Sequence, residues 1–413
     1  MRSIYLLFFS ISNLLFIVAI QLVTLIKVGP SSATDALFAG MTIPSVALAV
    51  LIGSLNNYLV PQFVTSKDVK KKMWGQSYVF FLGTTAFLLP FVASCHWWLG
   101  AVFSGFDSKT LHLTYQIIII QFLVMPFTIV SAIYTAYFNS QSRFICAEAI
   151  PAACSIVIIP FVFVTIPTYG VLSVSYLYAA KILLSFLVQS LFVGKPIKVN
   201  KNELDIMKTI HGIKYLMLGS IYYKSGPVID RHILSHTTSG TMSLFVLVQQ
   251  LLSMGNLILT KVIVIPQITA MNQVIGNGDS IFRRWLARRV LLLLIIAFAL
   301  FISFCSVGGF ILTLVCDYFS LTKFDPHVIW LLGITLFGTL IGDFVSTLIS
   351  SSFYSRGDTK TPSLLSILTF TLFIPVKFIA FYFSGVYGLA MASSAYSLIN
   401  MMALYKIIMV KLK

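Results

Sequence analysis

Five cations stand inside stretches that are otherwise apolar: Lys181, Lys224, Arg231, Lys261 and Lys377. A charge at mid-bilayer costs about 2.5–3.5 kcal/mol on insertion scales, so each of them must face a partner or a watery cavity. Lys224 and Arg231 are seven residues apart, which on a helix puts them on one face, about 10 Å apart along the axis. Gly226-Pro227 lies between them, where a missing backbone donor should bend the helix. Two cations on one face of a kinked helix suit a diphosphate. The competing reading pairs Arg231 with its neighbour Asp230 or turns it outward to the interface. Lys261 shares a helical stripe with Gln250, Met254 and Leu257, which would extend the same polar track, unless Lys261 snorkels to the interface. Lys181 and Lys377 are too deep for that. They are either ligand groups or halves of buried ion pairs, with Asp230 and Asp343 as candidate partners for Lys377.

Other chemistry is absent from the pattern. His232 and His236 are spaced i, i+4, as a metal pair can be, but no third ligand accompanies them and no metal site is expected. No nucleophile elbow, phosphate loop or paired-carboxylate motif occurs, and no stretch outside the apolar segments could fold into an ATPase domain. The expectation is a carrier and not an enzyme, with no cofactor. Cys95, Cys146, Cys154, Cys305 and Cys316 fit neither a zinc site nor a disulfide framework and read as small core residues.

The elements that must position these groups follow from composition. Hydrophobic residues make up 58% of the 413 and charged residues 10%, and the mean hydropathy is +0.95. A water-soluble chain could not hide that much apolar surface. Apolar segments of 20 or more residues recur from end to end, enough to cross a hydrocarbon layer about 30 Å thick as helix, and strand-like alternation is missing. The expected fold is all-α: a polytopic membrane protein of about twelve transmembrane helices. The net charge of +16 is no nucleic-acid signal, because 20 of the 28 Lys and Arg fall on alternate connections and the two ends. Lys70, Lys71 and Lys72, Arg143, Lys195, Arg283 and Arg284, Arg356 and Lys411 belong to that set. The opposite connections hold Lys27, Lys109 and Lys323. Such an asymmetry puts both termini in the cytoplasm of a cytoplasmic (inner) membrane.

The longest basic connection divides the chain into an N-terminal six-helix lobe (1–194), a linker with an amphipathic surface helix (195–211) and a C-terminal six-helix lobe (212–413). The halves echo each other: Val60-Pro61-Gln62-Phe63 corresponds to Ile265-Pro266-Gln267-Ile268, and Tyr169-Gly170-Val171 to Tyr387-Gly388-Leu389. Repeats of this kind are a transporter signature, since two equivalent bundles can rock about a shared site.

Several segments carry a family likeness. Ala33-Thr34-Asp35-Ala36-Leu37-Phe38 followed by Ile43-Pro44 and Leu59-Val60-Pro61 resembles the second helix of the MurJ (MviN) lipid II flippases. Phe353 to Pro362 resembles that family's connection between helices ten and eleven, and Gly388 to Ser394 its twelfth helix; Asp230-Arg231 with Ser239-Gly240 is similar to its helices seven and eight. The resemblance implies the MOP superfamily, alternating access and a cationic cavity for a polyprenyl-diphosphate-linked saccharide. With the buried charges read as above, substrate binding is expected of Lys224, Arg231, Lys261 and Gln250, and coupling or gating of Asp35, Asp230, Lys181 and Lys377. Coupling to a sodium or proton gradient is compatible with it, the Lys377 ammonium standing in for a bound cation. Partners would be the lipid-linked glycan, membrane lipids and glycan-assembly enzymes. Two departures point away from lipid II itself. The family's arginine pair after the helix-two proline is replaced by Ser45-Val46-Ala47-Leu48-Ala49, and its helix-eight Asp-Arg pair falls on Gln249-Gln250. Twelve spans are read here, without the two further helices typical of that family. The expected cargo is therefore an O-antigen, capsule or other surface-glycan precursor. The alternatives are a MATE-like small-molecule antiporter and a membrane-embedded glycan polymerase or acyltransferase. A cationic cavity disfavours the first, and short external loops the second.

Overall fold

The computed structural model describes residues 2–412 except 65, 67, 198–220, 223, 276–277 and 319–322. All regular structure among the described residues is helical. The helices are α1 (Arg2–Val28), α2 (Ser32–Val64), α3 (Val69–Val102), α4 (Ser108–Ser140), α5 (Phe144–Tyr169), α6 (Leu172–Val193) and α7 (Gly226–Leu234). After them come α8 (Thr241–Leu259), one π-turn (Thr260–Val264), α9 (Ile265–Val274), α10 (Asp279–Tyr318), α11 (Pro326–Tyr354) and α12 (Lys360–Lys411). Nine helices among the described residues are long and apolar enough to cross a membrane, with Val18–Val28 a shorter apolar stretch. The 52-residue α12 is two spans: Gly385, at φ 56° and ψ −138°, breaks it into arms 360–384 and 386–411. Gly388 completes that corner, since a Cβ there would lie 1.9 Å from the Ala380 carbonyl oxygen. The span expected at 212–236 is described in its last part as α7, and the linker expected at 195–211 lies mostly outside the described residues. An all-helical, multi-pass membrane protein is what the composition required.

Helices form here because the backbone has no other partner in lipid, so their prolines sit where bends are tolerated. Pro326 opens α11 at a position that needs no N–H, and Asp325 caps it by accepting from the amides of His327 (2.9 Å) and Val328. Large side chains such as Trp97, Tyr382 and Phe383 point outward, as they can when the solvent is hydrocarbon.

The chain clusters into two compact units, residues 1–243 and 244–413. In the first, α2 packs along α4, α1 on α5, and α6 on both α4 and α5. Its core includes Phe16, Ile20, Leu37, Ile117, Ile158 and Val162. Close approach is licensed by Gly40 of α2, where a Cβ would meet Ile117 of α4 at 2.8 Å. In the second unit α11 lies along α12. Gly338 and Gly342 give a small-xxx-small face that accepts Ser394 and Ser397, with Cβ distances of 2.7 and 2.6 Å if alanine stood there. Hydrophobic burial does not drive such contacts, because lipid is as apolar as the partner; packing and interhelical hydrogen bonds do.

Candidate functional site

Lys224 and Arg231 stand on either side of the kink that the sequence predicts. Lys224 is helical, Ser225 turns, and α7 begins at Gly226 with Pro227 in its first turn. The Lys224 ammonium donates to the Ala49 carbonyl on α2 at 3.2 Å, and Gly53 of the same helix leaves it room. Beside it, α2, α3, α4 and α7 enclose an apolar crevice of about 520 Å³, walled by Val46, Phe80, Phe87, Phe91, Ile221 and Val228. Gly83 lines this crevice too, with nothing in front of the place its Cβ would take. Arg231 is buried, 5% exposed, next to the equally buried Asp230, with which it interacts electrostatically. Both therefore belong to the inside of the first unit.

The two histidines fasten α7. The ring Nδ1 of His232 lies 2.7 Å from the Val102 carbonyl, which can only accept, so this nitrogen carries a proton. His236 bonds Ser104 at 3.2 Å, and Ser235 accepts from the Gly105 amide. No group of three metal-ligating side chains exists among the described residues.

Asp35, buried near the start of α2, accepts from the Gly240 amide at 2.6 Å, the Ser243 amide at 2.8 Å and the Ser243 hydroxyl. Thr34 accepts from the same hydroxyl at 2.9 Å. The carboxylate thus caps the N-terminus of α8 from another helix, using donors that a helix start leaves free and a favourable dipole. Gly240 makes this fit. Its φ is +90°, and a Cβ would strike Pro30 at 2.7 Å.

In the second unit Gln250 lies on α8 with its side-chain oxygen buried and unpartnered among the described residues. Lys261 lies in the π-turn Thr260–Val264. The extra residue of a π-turn shifts everything before it around the helix axis, so the ideal stripe from Gln250 to Lys261 is not kept. Lys377 is buried, 5% exposed, on the 360–384 arm. Asp343, one of its two candidate partners, accepts from Ser397 at 2.7 Å. Lys181 lies in a separate pocket of the first unit, a largely apolar one with a few polar side chains in its wall. Sequence reasoning missed the serines that meet the acids: Ser243 and Ser397 carry no charge and no motif. The only trace was Ser239-Gly240 ahead of an apolar run, a helix-start signal that does not say which side chain caps it.

The model of the lipid II flippase MurJ family matches residues 7–413. The chain belongs to the MurJ family. Among solved structures, this MurJ-family chain is similar to a lipid II flippase MurJ in an inward closed conformation: TM-score 0.77, 18% identity, covering 98% of this chain and 89% of that one. An inward-facing multidrug-resistance MATE transporter of the MOP superfamily follows at 0.74 and 14%, covering 99% and 98%. A MOP superfamily transporter from Pyrococcus furiosus stands at 0.61 and 12%, covering 99% and 94%. At such identities the likeness shows the fold. No curated protein matches the chain. It is a multi-pass membrane protein of a family of transporters.

Proposed function

We propose that the chain flips a polyprenyl-diphosphate-linked saccharide across the bacterial cytoplasmic membrane by alternating access of the two expected six-helix lobes, with both termini cytoplasmic. The observation that carries this reading is one juxtaposition: the Lys224 ammonium bonds the Ala49 carbonyl of α2, and the neighbours of Ala49 on that helix, Val46, Ala47, Val50 and Leu51, line an apolar crevice of about 520 Å³. A cation beside a greasy slot suits an amphiphile with an anionic head and an isoprenoid tail. Lys224 and Arg231 would bind the diphosphate, because an unpaired diphosphate in a low dielectric is prohibitively unfavourable. Lys261 and Gln250 are the further binding residues of this reading. Asp35, Asp230, Lys181 and Lys377 serve coupling and gating.

The cargo is a surface-glycan precursor rather than lipid II. Neutral Ser45 to Ala49 and Gln249-Gln250 stand where the family resemblance implies arginines, so the headgroup contacts differ. Lys224→Ala and Arg231→Ala are expected to abolish export of the glycan while the protein remains inserted. Gly83→Phe, placed where a Cβ meets open space on the crevice wall, should lower export at least tenfold. Unchanged export in all three variants overturns the assignment. Complementation of cells depleted of their lipid II flippase separates the cargoes, and none is expected.

A further inference from the structure

The first unit holds a second pocket, of about 240 Å³, from which the flippase reading takes Lys181 alone and for which it names no ligand. Its wall on α6 is Lys181, Ser185 and Gln189, one helical face that runs about 12 Å along the axis. Ser131 and Thr135 of α4 and Asn56 of α2 line the opposite side. These are polar rungs inside an apolar bundle. Three of their atoms, Asn56 Oδ1, Ser131 Oγ and Gln189 Oε1, are buried with no hydrogen-bond partner among the described residues, and Gln189 is only 1% exposed. Buried polar groups are otherwise satisfied almost without exception, so three in one pocket call for an occupant.

Lys181 decides which occupant. Its ammonium lies 4.3 Å from the centre of the Phe16 ring, with Cys154 as its electrostatic neighbour, and it makes no ion pair with a carboxylate among the described residues. The ring face offsets only part of the cost of an ammonium in the membrane. Water alone would satisfy the orphaned oxygens and leave that charge uncompensated. A cation is barred by the lysine and by the absence of acids in the lining. Every polar lining residue named carries a donor: the Lys181 ammonium, the hydroxyls of Ser131, Thr135 and Ser185, and the amides of Asn56 and Gln189, whose nitrogen and oxygen ends exchange by a half-turn. The volume equals about eight waters at ~30 Å³ each, room for one partly hydrated ion and far too little for a saccharide. Gln189 marks the end nearest the basic connections. α6 ends four residues on at Val193, and Lys70 reaches to 3.3 Å of the place a Cβ on Gly194 would take. That field concentrates anions.

We propose that this pocket binds one small inorganic anion of chloride size, with Lys181 as its counter-charge. The site does not depend on which lipid the protein carries. The test uses the full chain in a neutral detergent with gluconate as the sole anion. Chloride is titrated in while the thermal midpoint and the ³⁵Cl resonance width are followed. The parent should show a saturable rise in midpoint and saturable broadening. Lys181→Arg should keep both, Gln189→Leu should weaken chloride several-fold, and Lys181→Met should weaken it at least tenfold. If Lys181→Met does not fold, the Ser131→Ala, Gln189→Leu double variant takes its place and should lose affinity by a similar factor. No saturable response in the parent, an unchanged response in these variants, or a response to phosphate and none to chloride would each overturn the proposal.

Discussion

At the scale of single residues, acids and cations inside this membrane protein follow different logics. Asp35 is committed: three donors converge on it, and two are backbone amides at a helix start. Removing such an acceptor leaves buried amides unmade, which costs about 1–3 kcal/mol for each group. Asp35→Ala should therefore lower the thermal midpoint and, if the α2–α8 clasp is a gate, also raise passive leak of a small solute in liposomes. A midpoint and a leak rate equal to the parent's would remove Asp35 from both roles. For Lys377 we propose the other logic: its ammonium stands where a transported cation would otherwise bind. Transport by the parent should not respond to replacing sodium by choline, whereas Lys377→Met should acquire a sodium dependence. Strong sodium dependence in the parent would refute this. The charges were legible in the sequence because an apolar background makes each of them conspicuous. Their partners were not, because Ser243 and Ser397 are small uncharged residues whose meaning arises only when another helix reaches them.

At the scale of elements, composition and proline placement made the helices legible, but their joins needed coordinates. The kink at Gly226-Pro227 could be read from a missing N–H, and the two-arm nature of α12 from its length against a bilayer. The π-turn at Lys261 could not, since no residue type demands one. Helix contacts obey the small-residue rule most clearly at Gly342, whose absent side chain leaves Ser397 within 2.6 Å of a Cβ position. Gly342→Leu should overpack this seam, destabilise by about 1–3 kcal/mol or more, and lower the yield of folded protein. Gly83→Ala, facing open space, should do neither. The basic end of the second unit is tied by ion pairs that respond to pH. Lys411 donates to Asp358 at 2.5 Å and Thr361 does so at 2.7 Å, holding that carboxyl far below the usual range. Arg356 depresses Asp279 in the same way at 2.8 Å. A carboxyl with a depressed folded pKa favours the folded arrangement above its unfolded value of about 3.9, and the benefit is lost as pH falls through the folded value. A spin label at Thr359→Cys should thus have constant mobility from about pH 5 to 8, where every carboxyl concerned is ionised in both states, and loosen in more acidic buffer. In an Asp358→Asn background the label should be mobile at every pH. The pairs are exposed, so salt should weaken both.

At the scale of the whole molecule, the orientation we propose rests on counting charges, and the count is lopsided. Twenty Lys and Arg on one set of connections and ends face three on the other, and each basic residue near an anionic leaflet is worth about 1 kcal/mol. No local helix preference competes with a difference of that size. In the proposed orientation the same asymmetry makes the cytoplasmic side the basic one, which would draw a diphosphate or a small anion toward it before any specific contact forms. Family membership and fold were legible from a few segments, since a membrane chain has so few ways to satisfy its backbone. Cargo was not, because it turns on which side chains share a cavity. The orientation can be tested directly after the five native cysteines are replaced by serine or alanine. In intact cells a membrane-impermeant maleimide should label Lys109→Cys, on the connection between α3 and α4. It should fail to label Arg143→Cys, on the next connection, or Lys413→Cys until the membrane is permeabilised. Labelling of Arg143→Cys and Lys413→Cys in intact cells, with Lys109→Cys protected, would invert the topology and with it the direction of the proposed transport.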